Sequence, residues 1–168
     1  NTLYKTLTKI LCARLSDILP DIISPAQSAF IKGRDIVGNV LICQDLIRMY
    51  GRGVCSPRIL MKLDLQKAYD LVEWNFMNEM LTELGFPDRI QSLIMQCVTT
   101  PSYTFSINGD TFGFVTGKRG LRQGDPLSPL LLKFCLEYLT RLLMVLQKLP
   151  HLSFHPLCKS LKYNHIFF

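Results

Sequence analysis

The sequence predicts an α+β fold. Five segments carry apolar residues at helical spacing, and strand-like alternation is confined to a few short stretches. The two kinds run as helices, a strand, helices, a hairpin, a helix and a strand, without the regular βαβα order of a doubly wound sheet.

The first helix is NTLYKTLTKILCARLSDI, with Leu3, Leu7, Ile10, Leu11, Leu15 and Ile18 as its apolar face, ending before Pro20. A loop, DIISPAQSAFIKGRDI, follows. VGNVLICQDLIRMYG is the second helix, with Gly51 and Gly53 as stop signals. RILMKLDL is short and apolar and predicts a buried strand. EWNFMNEMLTELG is the third helix, with Trp74, Met77, Leu81 and Leu84 on one face and Gly85 as its stop. PDRIQSLIMQCV is the fourth, with Pro87 suited to its first turn.

SYTFSINGDTFGFV predicts a β-hairpin. Tyr103, Phe105 and Ile107 alternate, Asn108-Gly109 makes the turn, and Phe112 and Phe114 alternate again. GKRGLRQGDPLSP is a loop. LLLKFCLEYLTRLLMVLQKL is a long helix stopped by Pro150, and LKYNHIFF begins another strand.

The chain has 168 residues, 48% hydrophobic and 19% charged. That suits one domain or a piece of a larger one, and it excludes wholesale disorder. No run approaches ~18 uncharged apolar residues, so no membrane-spanning helix is expected. The opening lacks the zones of a secretory signal, and Asn1 in place of Met suggests a start inside a longer product. An intracellular setting, nuclear or cytoplasmic, is the expectation. Six cysteines without a C-x-x-C pair sit mostly in apolar runs and read as reduced and structural. Lys and Arg number 19 against 13 acids, a net charge of +6. This suits a polyanion such as nucleic acid, although a mildly basic surface without a special partner carries the same charge.

Three segments carry candidate chemistry. Asp64 ends the apolar strand in LMKLDLQKAYD. A carboxylate there needs compensation, either from a salt bridge or capping role or from a divalent metal such as Mg²⁺. Lys67 and Tyr69 follow in the turn, where backbone N–H groups and the lysine can hold phosphate oxygens. The alternative is a solvated lysine and a core tyrosine. Asp70 reads as a helix cap. In RGLRQGDPLSP, glycines and prolines fix the backbone while Arg119, Arg122 and Gln123 project from it, a form suited to a nucleotide or a paired strand. In SAFIKGRDI, Lys32 and Arg34 flank Gly33, which permits close approach to a phosphate strand.

Taken together, these segments resemble one family. LMKLDLQKAYDLVEW resembles motif A of reverse transcriptases, and GLRQGDPLSPLL resembles their motif B. QSAFIKGRDI and FSINGDTFGFVTGKRG resemble the versions in LINE-type, non-LTR retrotransposons, notably those of plants. The resemblance covers essentially the whole chain.

It implies a partial right-hand polymerase: fingers at about 1–57 and 86–123, an incomplete palm at 58–85 and 124–168 with an antiparallel sheet packed on helices, and no thumb. The implied function is RNA-directed DNA synthesis, a two-metal nucleotidyl transfer. Asp64 would be the catalytic carboxylate and, with the main-chain oxygen of Leu65, a ligand of two Mg²⁺ ions. Lys67, Ala68, Tyr69, Gln123 and Gly124 would bind the nucleotide, with Tyr69 rejecting a 2′-OH. Lys32, Gly33, Arg34 and Arg122 would contact template or primer. The implied partners are an RNA template, a DNA primer and a dNTP, with no membrane and no sign of a protein partner. The paired aspartates of motif C do not occur after LKYNHIFF, so this polypeptide alone is expected not to polymerise DNA. Lys133 stands where the family usually has an aromatic residue. A non-catalytic nucleic-acid-binding remnant and a group II intron maturase-type enzyme are the alternatives.

Overall fold

The structure is a computed structural model that describes residues 2–50, 59–151, 155, 158, 159 and 164–167. Its elements are α1 (Thr2–Ile22), α2 (Ile36–Tyr50), α3 (Trp74–Glu83), α4 (Asp88–Thr99), β1 (Ser102–Ile107), β2 (Asp110–Thr116) and α5 (Ser128–Leu146). Among the described residues this is an α+β chain with one two-stranded antiparallel sheet. Two compact units divide it: Asn1–Leu15 with Gln66–Cys135, and Ser16–Leu65 with Leu136–Phe168.

The first unit is built on α3, α4 and the start of α5. α3 buries Met77, Met80 and Leu81, and α4 buries Ile94 and Cys97. Phe134 of α5 is fully buried and meets Phe86 edge to face at 5.2 Å. The turn between α3 and α4 is set by Gly85, at φ +79. Its N–H bonds Thr82 and that of Phe86 bonds Leu81, which satisfies the last carbonyls of α3. Pro87 takes the cap position just before α4 rather than a place within its first turn.

The hairpin forms where expected. Asn108 at φ 54 and Gly109 at φ +92 make the two-residue turn whose handedness matches strand twist. One detail departs from simple alternation. Phe105 pairs with Phe112 and Tyr103 with Val115, so β2 holds an extra residue at Gly113, which sits at φ +66. That bulge puts Phe112 and Val115 on the face of Tyr103, Phe105 and Ile107, and sends Phe114 to the opposite face. All residues of both strands are exposed.

The second unit is organised by buried polar groups. Glu137 is 3% exposed, and its Oε2 accepts from the Ser24 N–H and from Gln27 Nε2, both at 3.0 Å. Gln27 Nε2 also reaches Thr140 Oγ1 at 3.3 Å. Arg141 Nε lies 3.4 Å from Glu137 Oε1. The guanidinium of Arg34 donates to four main-chain carbonyls: Ser24 and Gln27 from one terminal nitrogen, Pro20 and Ile23 from the other, at 2.6–2.9 Å. These carbonyls belong to the end of α1 and the turn after it, so Arg34 acts as a helix cap delivered from downstream.

Several expectations require correction. α1 does not stop before Pro20 but runs through it to Ile22. A proline near the end of a helix removes a single hydrogen bond, and Arg34 ties down the carbonyls beyond it. The apolar face of α1 is also different. Leu11, Leu15 and Leu19 are buried with Thr8, whereas Leu3, Leu7, Ile10 and Ile18 are exposed. The i, i+4 spacing of the buried set defines the stripe.

The apolar run at 59–65 is not a buried strand. It has no regular structure, and Ile59, Leu60, Met61, Leu63 and Leu65 are exposed. An extended segment becomes a strand only by pairing its backbone groups, and no partner strand lies beside it among the described residues. Of the tail, residues 164–167 make one parallel bridge, Phe167 to Gln27, rather than a strand. The stop signals Gly51 and Gly53 fall outside the described residues. Asp70 does not cap a helix, because α3 begins at Trp74 with Glu73 before it.

Cys43, Cys97, Cys135 and Cys158 are free thiols. Burial raises the thiols of Cys43, Cys97 and Cys158 and pushes Cys135 up to about 12, as expected of packed, unreactive groups.

Two predictions follow from these buried charges. Replacing Glu137 by Ala strands the Ser24 N–H and the Gln27 amide, so thermal or urea denaturation should show a loss of about 3 kcal/mol. Lys133 is 4% exposed within α5, and burial holds its ammonium pKa below the usual value. The unfolded chain therefore binds that proton more tightly. The burial cost is full below the folded pKa, and stability rises with pH between the folded and unfolded pKa. Lys133→Met should raise Tm at pH 7 by about 2–4 °C. That advantage should shrink as the pH approaches the ordinary lysine range, as read by calorimetry across pH.

Candidate nucleotide site

Two loops of the first unit, residues 66–73 and 117–127, are stitched together by main chain. The Gly120 N–H bonds the Val72 carbonyl and the Leu121 N–H bonds the Tyr69 carbonyl, each at 2.7 Å. Trp74 Nε1 donates to the Gly120 carbonyl at 2.8 Å. Glycine is required at 120 on two counts. Its φ is +89, and a Cβ there would lie 2.9 Å from the Asp70 carbonyl oxygen. Gly117 likewise admits the Trp74 ring, which a Cβ would meet at 3.3 Å.

Side chains add to this seam. Gln123 Nε2 lies 3.4 Å from Asp70 Oδ1. Arg119 and Glu73 form an exposed ion pair at 3.6 Å. Lys67 adopts φ 51, and its carbonyl accepts from the N–H groups of Asp70 and Leu71, closing the first loop into a tight turn.

The second loop is anchored by Asp125, which is 7% exposed. Its Oδ1 accepts from the Leu127 N–H at 3.0 Å and its main-chain carbonyl from the Ser128 N–H, a cap for α5. Ser128 Oγ bonds the Arg122 carbonyl at 2.7 Å. The Tyr4 hydroxyl lies 2.5 Å from Asp125 Oδ2 and 3.0 Å from the Cys97 carbonyl. Burial first, and then the Asp125 carboxylate, push the Tyr4 phenol above its ordinary pKa. The Arg122 guanidinium lies 5.6 Å from the Tyr4 ring centroid.

Two hollows flank Asp125. A groove of about 580 Å³ is lined by Tyr69, Gln123, Gly124 and Asp125 among others. A second, of about 180 Å³, is lined by Tyr4, Asp70, Trp74, Arg119, Arg122 and Asp125 among others. The structure thus brings together three of the expected nucleotide-binding residues, Tyr69, Gln123 and Gly124. Lys67 and Ala68 lie in the same turn as Tyr69, Lys67 exposed and Ala68 half-buried. Arg122 is exposed beside them in the second loop.

Asp64 and Leu65 belong to the second unit, exposed on the irregular segment 59–65. Lys32, Gly33 and Arg34 are also in that unit, with Gly33 at φ +79. Among the described residues no three His, Cys, Asp or Glu side chains group as a metal site. Asp64 offers a single hard ligand, which does not make a cage for Mg²⁺.

Sequence reasoning missed Tyr4, Trp74, Gly120 and Asp125 as parts of this site. Asp125 before Pro-Leu-Ser carries a helix-start signal that could have found it. Nothing in the sequence marks Tyr4 as its partner.

Gly120→Ala should cost about 1–3 kcal/mol from its backbone angle alone, with the clash at Asp70 adding to that. The loss is measurable as a lower Tm and a red-shifted emission from Trp74, the only tryptophan.

Comparison with known proteins finds several relatives. The transposon TX1 uncharacterized 149 kDa protein of Xenopus laevis is 30% identical over 137 residues, 82% of this chain and 10% of its own length. The retrovirus-related Pol polyprotein from the type-1 retrotransposable element R2 of Popillia japonica is 32% identical over 100 residues, 60% of this chain and 16% of its own. An uncharacterized mitochondrial protein of Arabidopsis thaliana is 60% identical over 38 residues, 23% of this chain and 31% of its own. The chain therefore spans a small share of each relative. The family model for reverse transcriptase (RNA-dependent DNA polymerase) matches residues 1–155. With that match and those relatives, the chain belongs to the reverse transcriptase family, in the form carried by non-LTR retrotransposons.

Proposed function

We propose that this chain holds an incoming deoxynucleoside triphosphate against an RNA template, as part of an RNA-directed DNA polymerase. The observation that carries this reading is the shared groove of Tyr69, Gln123 and Gly124, fixed by the two 2.7 Å bonds between their loops. The half-buried ring of Tyr69 suits the apolar face of a sugar, and its bulk opposes a 2′-OH. The Gln123 amide can donate and accept toward a base or sugar. The turn at Lys67–Tyr69 supplies main-chain N–H groups and a cation for phosphate oxygens.

In this reading 1–57 and 86–123 act as fingers, and 58–85 with 124–168 as palm. Lys32 and Gly33 contact template or primer, as does Arg122. Reverse transcriptases generally use divalent metal ions. Asp64 and the Leu65 carbonyl would offer two oxygen ligands, and the described residues do not complete the site. This chain's own contribution is positioning, the main demand of phosphoryl transfer.

The reading is tested by titrating the chain with dNTP and Mg²⁺ while following Trp74 emission. Saturable binding that is weakened about tenfold by Gln123→Ala, with dNTP preferred over NTP, is the expected result. Tyr69→Ala should narrow that preference by about 10- to 100-fold. No response to dNTP, or equal binding of both sugars by the unaltered chain, would defeat the proposal.

A further inference from the structure

The loop Ala29–Arg34 holds an aromatic side chain outward at a cost. Phe30 is 73% exposed, while its neighbours Ala29 and Ile31 are 3% and 4% exposed. The two buried residues pin the chain on either side, so Phe30 has no inward path. Its backbone adopts φ 58, a region that bulky L-residues rarely occupy. Such strain persists only where the surroundings impose it, and it collects at sites of function.

Arg34 imposes it here. Its terminal N–H groups are committed to the carbonyls of Pro20, Ile23, Ser24 and Gln27, and its own N–H bonds the Ile31 carbonyl. Beside Phe30 stand Lys32, its side chain 77% exposed, and Gly33, at φ +79 with open space where a Cβ would go. The carboxylate facing Lys32 is Asp17 at 3.2 Å, itself 69% exposed. A pair so open to water is worth little and yields readily to a phosphate.

We propose that Phe30 is a stacking platform for an unpaired base of the RNA template. Lys32 and the open main chain at Gly33 take the adjoining phosphate, and Arg34 is a positioning residue that holds the platform rather than a nucleic-acid contact. Unpaired RNA is recognised by this combination of an exposed ring and a nearby cation. The inference rests on the template-binding reading above and narrows it: one residue gains a role that sequence reasoning did not assign, and another changes role.

The test uses the full chain and a short labelled oligoadenylate RNA, read by fluorescence anisotropy, alongside the same strand with abasic positions. Phe30→Ala should weaken oligoadenylate binding by about 5- to 100-fold. Phe30→Trp should retain it, and the abasic strand should not distinguish Phe30→Ala from the unaltered chain. Phe30→Gly should melt no lower than the unaltered chain, since it relieves the φ strain, and should bind as weakly as Phe30→Ala. Equal oligoadenylate affinity for Phe30→Ala and the unaltered chain overturns the stacking role alone. So does a difference that persists on the abasic strand. A Phe30→Ala chain that changes oligomeric state and keeps its RNA affinity makes the residue a protein contact and overturns the proposal. An unaltered chain that binds no RNA defeats the template-binding reading itself, and this proposal with it.

Discussion

The contact on which the candidate site depends is a main-chain seam. Two loops that are far apart in sequence meet through the Gly120 and Leu121 N–H groups, which bond Val72 and Tyr69 at 2.7 Å. Main-chain bonds fix the loops themselves, not merely the side chains on them. Tyr69 and Gln123 share a groove because their backbones are already joined. The glycine at 120 makes the approach possible, and Trp74 covers the junction from one side. Preorganisation of this kind is what a positioning catalyst needs. Asp125 extends the same logic by serving α5 as a cap and Tyr4 as a partner with one carboxylate.

The second unit solves a different problem with the same means. Glu137 is a buried carboxylate that satisfies groups from the turn after α1, and Arg34 satisfies the carbonyls of that turn. Desolvating these charges is costly, and the return is a unique geometry rather than raw stability. Gln27 shows the tension, since its Nε2 hydrogens serve Glu137 and Thr140 while its Oε1 has no hydrogen-bond partner among the described residues. A loop held by so many directional bonds can keep Phe30 at an unfavourable angle.

Much of this was legible in the residues, and what was not has physical causes. Helices with a strong apolar period, such as α3 and α5, and a turn with Asn-Gly, such as 108–109, are local signals and were found. The family emerged from short motifs because their chemistry fixes residue types at fixed spacing. The strand expected at 59–65 failed because a strand depends on a distant partner, which no local pattern encodes. The face of α1 was misassigned because apolar residues surround that helix, and tertiary packing chose among them. Asp125 carried a cap signal, but its link to Tyr4 is a long-range fact. Arg34 looked like a phosphate ligand because composition reports charge without reporting what consumes it.

The extra residue at Gly113 has a consequence of its own. By shifting one strand half a pleat, it sorts the ribbon into a side bearing Tyr103, Phe105, Ile107, Phe112 and Val115 and a side of hydroxyl-bearing residues that Phe114 interrupts. A plain ladder from the same turn would have set Phe114 opposite Tyr103, with all four rings on one side, and Val115 on the other. A single glycine therefore trades a ring for a valine on the apolar side and leaves Phe114 alone among hydroxyls, so both surfaces of this thin strip carry an aromatic.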